Sequence, residues 1–321
     1  GKVLPVHLDL PSGRRVSIHT DRSGDVLSVD GQRIGLSPQT MELSYGAHII
    51  RADRKGNSME KEIEVCEGEG EQLVEIGFGL LGQVRWSSSI TTDQKQILIR
   101  LLGNMVKVEG GRFQMEGTSE QGSDAYNNEK PVHSVTLSDY YICKYEVRQQ
   151  EWEAVMGKNP SSFQGHDLPV EQVSWEDCQE FIGRLNALTG LNFKLPTEAQ
   201  WEYAARGGSK SRGYKYCGSN DMDRVGWYGG NSGRKTHPVG QKQANELGLY
   251  DMSGNVWEWC SDWYGDYSST SQTDPTGPVS SSHRVDRGGS WYFVARYCRV
   301  SNRGSIVPGI RSDDLGLRLV L

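Results

Sequence analysis

Over the first 85 or so residues, polar and apolar positions alternate with period two. RVSIHT (15–20), VLSV (26–29), HIIRAD (48–53), MEKEIEV (59–65) and QLVEIGF (72–78) each place apolar side chains on one face. Between them stand turn residues, DRSGD and DGQ among them. That pattern predicts a small antiparallel all-β sandwich over residues 1–86. The period then changes. SSSITTDQKQILIRLLGNM (87–105) reads as linker and helix, with Thr92 as N-cap and Ile97, Ile99, Leu101 and Leu102 as its packing face. A second domain follows over 103–321. VKVEGGRFQMEG predicts strand, turn, strand, and EKPVHSVTLSDYYICKYEV continues the sheet. VRQQEWEAVMG (147–157) has helical spacing of Trp152, Val155 and Met156. SWEDCQEFIGRLNALTG (174–190) opens on Ser174 with Asp177 three residues on and closes on Gly190. Its stripe is Phe181, Ile182, Leu185 and Leu188, with Cys178 beside it as a buried structural thiol. From 206 to 290 periodicity fades into Gly, Asn, Ser and Trp. A stretch that long needs buried tryptophans or bound ions to hold it.

Composition adds limits. Eight of nine tryptophans follow residue 150, which sharpens the domain boundary. The net charge of -6 disfavours a nucleic-acid partner, because phosphate binding calls for a basic face. No run reaches the roughly 20 apolar residues of a membrane helix. The six cysteines, Cys66, Cys143, Cys178, Cys217, Cys260 and Cys298, include no C-x-x-C pair and demand no disulfide. Cys66, at the end of KEIEVCEG, reads as a structural strand-end residue. GKVLPVHLDL lacks the plan of a secretion signal, and Gly1 in place of Met is expected from a processed or trimmed chain.

Three motifs stand in fixed order: LPTEAQWEYAARGG (195–208), GLYDMSGNVWEW (248–259) and RGGSW (287–291). With GGRFQMEG, EKPVHSVTL, YEVRQQEW, LPVEQVSWEDC, THPVGQ and LGLRLVL, they resemble the formylglycine-generating enzyme, or sulfatase-modifying factor, family across 103–321. The resemblance implies an α+β, C-type-lectin-like fold. VDGQRIGLSPQTMELSYGAHIIRADRKG (29–56) resembles the PEGA domain, a β-sandwich of bacterial envelope proteins. Together they imply an extracytoplasmic location, in the periplasm or on the cell surface, with any signal segment removed.

Formylglycine-forming members oxidise a sulfatase cysteine with copper and oxygen, using two cysteines after the GGS motif. The second falls on Cys298; the first falls on Phe293. Copper(I) favours thiolates, and one thiolate does not make a tight low-coordinate site. Copper is therefore not expected. Ser290 and Trp257, which the family places at its oxygen site, are kept. Iron-dependent relatives use histidine sets, and no H-x-x-x-H pair occurs here. The resemblance also implies a structural calcium ion on Asp251 and Glu258 carboxylates and Gly254 and Val256 carbonyls; such oxygens suit a hard cation. Two functions follow. One is an envelope protein that binds a protein or a glycan, with exposed aromatics among Tyr214, Tyr216, Trp227, Tyr228, Trp263, Tyr264 and Tyr267. The other is a copper-dependent oxidase working through Cys298, with Ser290 beside it.

Overall fold

A computed structural model describes residues 13–68 and 70–321. The stretch GKVLPVHLDL and the start of the 1–86 domain lie outside the described residues. The chain divides into two compact units, Gly1–Arg85 and Trp86–Leu321.

The first unit carries seven strands: β1 (Gly13–Thr20), β2 (Val26–Val29), β3 (Gln32–Leu36), β4 (Gln39–Ser44), β5 (Gly46–Arg54), β6 (Asn57–Val65) and β7 (Gln72–Ile76). They form two sheets, ordered β4-β1-β7 and β3-β2-β5-β6. Val16, Ile18, Leu27, Ile50, Val65 and Val74 fill one core drawn from both. The sandwich is not wholly antiparallel, because β1 and β7 run parallel. Alternation fixes which face a strand buries but carries no information on direction. The β2–β3 turn is the two-residue type the sequence calls for: Asp30 (φ 49) and Gly31 (φ 80) both take positive φ. Asp30 then accepts from the Ile49 N–H at 2.9 Å and bonds His48 at 2.7 Å, so one turn residue ties β2 to β5.

The second unit is mixed. Its helices are α1 (Thr92–Gly103), α2 (Gln149–Met156), α3 (Trp175–Thr189), α4 (Glu198–Ala205) and the single turn α5 (Met222–Val225). Its strands are β8 (Met105–Val108), β9 (Gly111–Met115), β10 (His133–Leu137), β11 (Tyr140–Cys143), β12 (Trp257–Trp263), β13 (Gln272–Thr273), β14 (Arg284–Arg287), β15 (Arg303–Ile306) and β16 (Leu315–Leu317). The central sheet runs β15-β14-β12-β16. α3 forms as its caps dictate: Ser174 and Asp177 bond reciprocally, and Gly190 closes it at φ 68. The cap of α1 is Thr91, one residue before the expected Thr92. Gln94 stands three residues after Thr91 and completes the reciprocal pair at 2.9 and 3.2 Å. Its buried stripe is Leu98, Leu101 and Leu102, so Leu98 takes the place expected of Ile97 and Ile99. That set follows the i, i+3, i+4 spacing of one helix face.

The irregular stretch is held by indole N–H groups. Trp259 donates to the Val173 carbonyl and Trp175 to that of Cys260, both at 3.0 Å. Trp201 donates to Glu258 at 2.7 Å. Buried arginines, which periodicity did not single out, do as much. Arg287, Arg299 and Arg318 are fully buried, and each bonds carboxylates and backbone carbonyls together. A guanidinium has five donors in a planar fork, so one side chain satisfies several loop carbonyls at once.

Candidate functional site

The RGGSW turn sits where β14 ends. Gly289 is required by close approach: a Cβ there would lie 2.6 Å from the Cys298 sulfur and 2.9 Å from the Tyr297 carbonyl oxygen. The turn thus brings the Ser290 backbone and Cys298 together. Both are sealed. Ser290 is buried, donates to Asp314 at 2.8 Å and accepts from the Tyr292 N–H at 3.3 Å. Cys298 is fully buried among Tyr216, Met222 and Val225. Burial pushes its thiol up to about 12, against a smaller opposing effect from the Ser290 backbone. A thiol held protonated is a poor nucleophile and metal ligand.

Phe293 lies in a ring cluster. It meets Trp257 at 5.6 Å, Tyr292 at 5.6 Å and Tyr297 at 5.1 Å, all edge to face. Trp291 and Phe163 extend the chain of rings. At its outer rim Tyr292 and Val294 are each 62% exposed. This is where the aromatic surface lies. The aromatics expected to be exposed are buried or half-buried instead, and cations or rings cover the faces of several of them. Trp227 stacks on His237 at 3.7 Å under Lys242, Trp263 carries Arg284, and Tyr264 and Tyr267 carry Arg303. Tyr216 packs on Cys298.

The GLYDMSGNVWEW loop gathers carboxylates around one arginine. Asp251, at φ 58, accepts from the Gly240 N–H at 2.6 Å through one oxygen, while its other oxygen is buried without a partner. Glu258 gives both oxygens to Arg318, at 2.7 to 3.2 Å, and one of them to Trp201. Glu146, from the YEV segment, is fully buried and accepts from Asn255 and from the Val256 N–H at 2.7 and 3.1 Å. Burial raises Asp251 to about 6 and Glu146 well above the usual carboxylate range, and the neighbouring carboxylates add to both. The orphaned Asp251 oxygen fits a cation. Glu258 is already engaged, so backbone carbonyls such as those of Gly254 and Val256 would supply most remaining ligands. Among the described residues no three His, Cys, Asp or Glu side chains form a metal cluster by themselves. Glu146 and Arg318 escape a motif reading because they lie over 100 and 60 residues from their partners.

The model of the sulfatase-modifying factor enzyme 1-like domain matches residues 93–321. The chain belongs to the sulfatase-modifying factor family. It is 36% identical over 267 residues to the chaperone protein LppX of Paenibacillus barcinonensis, covering 68% of this chain and 89% of LppX. It is 35% identical over 191 residues to the formylglycine-generating enzyme of Streptomyces coelicolor, covering 54% of this chain and 58% of that enzyme. Among solved structures, Treponema denticola variable protein 1 superposes with a TM-score of 0.60 at 36% identity, covering 67% of this chain and 94% of that one. PvdO from Pseudomonas aeruginosa gives 0.59 at 27% identity, covering 67% and 93%. The sulfatase-modifying factor fold therefore accounts for the second unit, and the first lies outside the matched region. Among the described residues no helix is long and apolar enough to cross a membrane.

Proposed function

We propose that this sulfatase-modifying factor domain is a protein-binding module of the bacterial cell envelope that does not generate formylglycine. One observation carries the reading: Phe293 fills the first thiol position and, with Tyr292 and Val294, turns the family's reactive centre into an apolar rim. Aromatic rims of this kind suit protein contacts. The likeness to a chaperone protein supports a polypeptide partner. A paired experiment tests this. Incubated with copper(I), oxygen and a peptide bearing the sulfatase motif, the protein is expected to leave the peptide mass unchanged. A permanently unfolded probe, reduced and carboxymethylated α-lactalbumin, is expected to bind and to lose about tenfold or more in affinity with Tyr292→Asp. Conversion of the peptide, or binding indifferent to Tyr292, overturns the proposal.

We also propose a structural calcium ion on Asp251, the Gly254 and Val256 carbonyls and Glu258. Support comes from three carboxylates facing the single guanidinium of Arg318 and from the unpartnered Asp251 oxygen. A bound ion would fix a loop with few backbone ladders. Calcium at a hundredfold excess over Kd is expected to stabilise the domain by about 2.7 kcal/mol. Chelation is expected to reverse this in a thermal melt, and Asp251→Asn to abolish the response. A melting temperature indifferent to calcium would remove the site.

A further inference from the structure

Beside the N-terminus of α4, the end of β12 and the 264–278 loop lies a cavity of about 530 Å³. It shares no residue with the surroundings of Cys298 or with the Asp251 loop.

Its back wall is a closed polar network. Glu198 takes the Arg303 fork at 2.8 and 2.7 Å and the Tyr267 hydroxyl at 2.7 Å. Arg287 joins Glu198 to Glu202, and Arg206 joins Glu202 to Glu120. Glu116 is buried with both oxygens unpartnered, and burial, with Glu202 and Glu198 beside it, pushes its carboxyl well above the usual carboxylate range. In its ion-paired part three guanidinium groups meet three carboxylates.

Asp262 stands apart from this balance. It lines the cavity and is only 4% exposed. Its Oδ2 accepts from the Glu198 N–H and the Ser261 hydroxyl, both at 3.0 Å. Its Oδ1 accepts from no group among the described residues. Gly277 faces that atom. A Cβ there would lie 3.2 Å from Oδ1 and 2.9 Å from the Asp262 Cβ, so the open space exists because residue 277 has no side chain. Asp266, on the exposed edge of the cavity, has no cationic partner either. Arg284 acts on Asp262 at a distance but makes no bond to it; it lies between the Trp175 and Trp263 rings, at 3.8 and 3.5 Å, and donates to the Ser261 carbonyl.

We propose that this cavity binds an organic cation, an ammonium or guanidinium group, through Asp262 Oδ1 and Asp266. Asp262 Oδ1 opens onto the cavity without a protein donor, and a charged N–H group makes a strong bond to such an oxygen. The alternatives fit less well. The rings of Trp263, Tyr264 and Tyr267 each already carry an arginine on one face, which disfavours a sugar platform. Two carboxylates without a third ligating side chain make a sparse metal site. The cation has two sources of one chemistry: a free small amine, or a lysine or arginine side chain on a polypeptide.

Calorimetric titration of the full chain tests the proposal. The probes are cadaverine, L-arginine and a nonapeptide with one central arginine, with citrulline replacing arginine as the uncharged control. The arginine forms are expected to bind about tenfold or more tightly than the citrulline forms. Asp262→Asn is expected to weaken binding by a similar factor, since asparagine keeps an acceptor for the Glu198 N–H and the fold. Asp266→Asn, on the exposed edge, serves as the second variant and is expected to weaken binding several-fold. Binding of the free amines assigns a small-molecule site; binding of the peptide alone assigns a polypeptide site; both support the cation. Equal affinity for citrulline and arginine, no heat from any cation at millimolar concentration, calcium binding in place of amines, or indifference to both substitutions would overturn it.

Discussion

Ellman's reagent added to the folded protein at pH 8 is expected to release one equivalent of thiol, and six after denaturation. Of the six free cysteines, Cys66 alone is exposed. It follows directly after β6, the strand-end position the sequence predicts, and its side chain faces solvent. The other five are buried, and burial raises every one of their thiols, Cys143 and Cys298 to about 12. At pH 8 a thiol of that kind is ionised to about one part in ten thousand, whereas an ordinary one is about a quarter ionised. Burial thus suppresses the reactive form of these thiols before access is considered. Cys66→Ser is expected to bring the folded count to zero and Cys298→Ala to leave it at one. A second equivalent that vanishes with Cys298→Ala would return this residue to catalysis and undo the binding-module reading.

Arg318→Met is expected to cost about 3–5 kcal/mol, the price of leaving a buried carboxylate without its partner. Arg318 is fully buried, holds both oxygens of Glu258 and donates to the Cys143 and Tyr250 carbonyls at 3.0 and 2.9 Å. Removing it strands Glu258 beside Glu146 and Asp251. In a unit of this size the loss corresponds to a fall of roughly 6–20 °C in melting temperature. Glu258→Gln keeps an acceptor for the Trp201 indole and removes the charge. The double variant is therefore expected to lose less than the sum of the two single ones, and a thermal-melt cycle measures the difference. Strict additivity would mean that packing, not charge, is what Arg318 contributes. Added calcium is expected to recover part of the loss in Arg318→Met, because a cation could then meet the same carboxylates.

Much of the fold was legible because its signals are local. The α3 caps, the Asp30–Gly31 hairpin and the order of the Trp- and Gly-rich motifs each lie within a few residues of chain. The one-residue error at Thr91 has the same origin: two adjacent threonines offer a cap, and only the reach of Gln94 decides between them. The candidate site was half legible. The family resemblance pointed to Ser290, Phe293, Cys298 and the Asp251 loop as candidates, but it could not say that Cys298 is sealed or that Glu258 is engaged. Nor did it find the exposed rim of Tyr292 and Val294, since an aromatic residue reads alike on a surface and in a core.

The sequence by itself determined the family and the two-part organisation, each set by residue identity and pattern along the chain. The tertiary structure decided which charges meet. Glu258 finds Arg318 across 60 residues, Glu198 finds Arg287 across 89 and Arg303 across 105. No periodicity spans such distances. It also decided which carboxylate oxygens are left over, at Asp251 and at Asp262, because an unmatched group exists only once all its neighbours are in place.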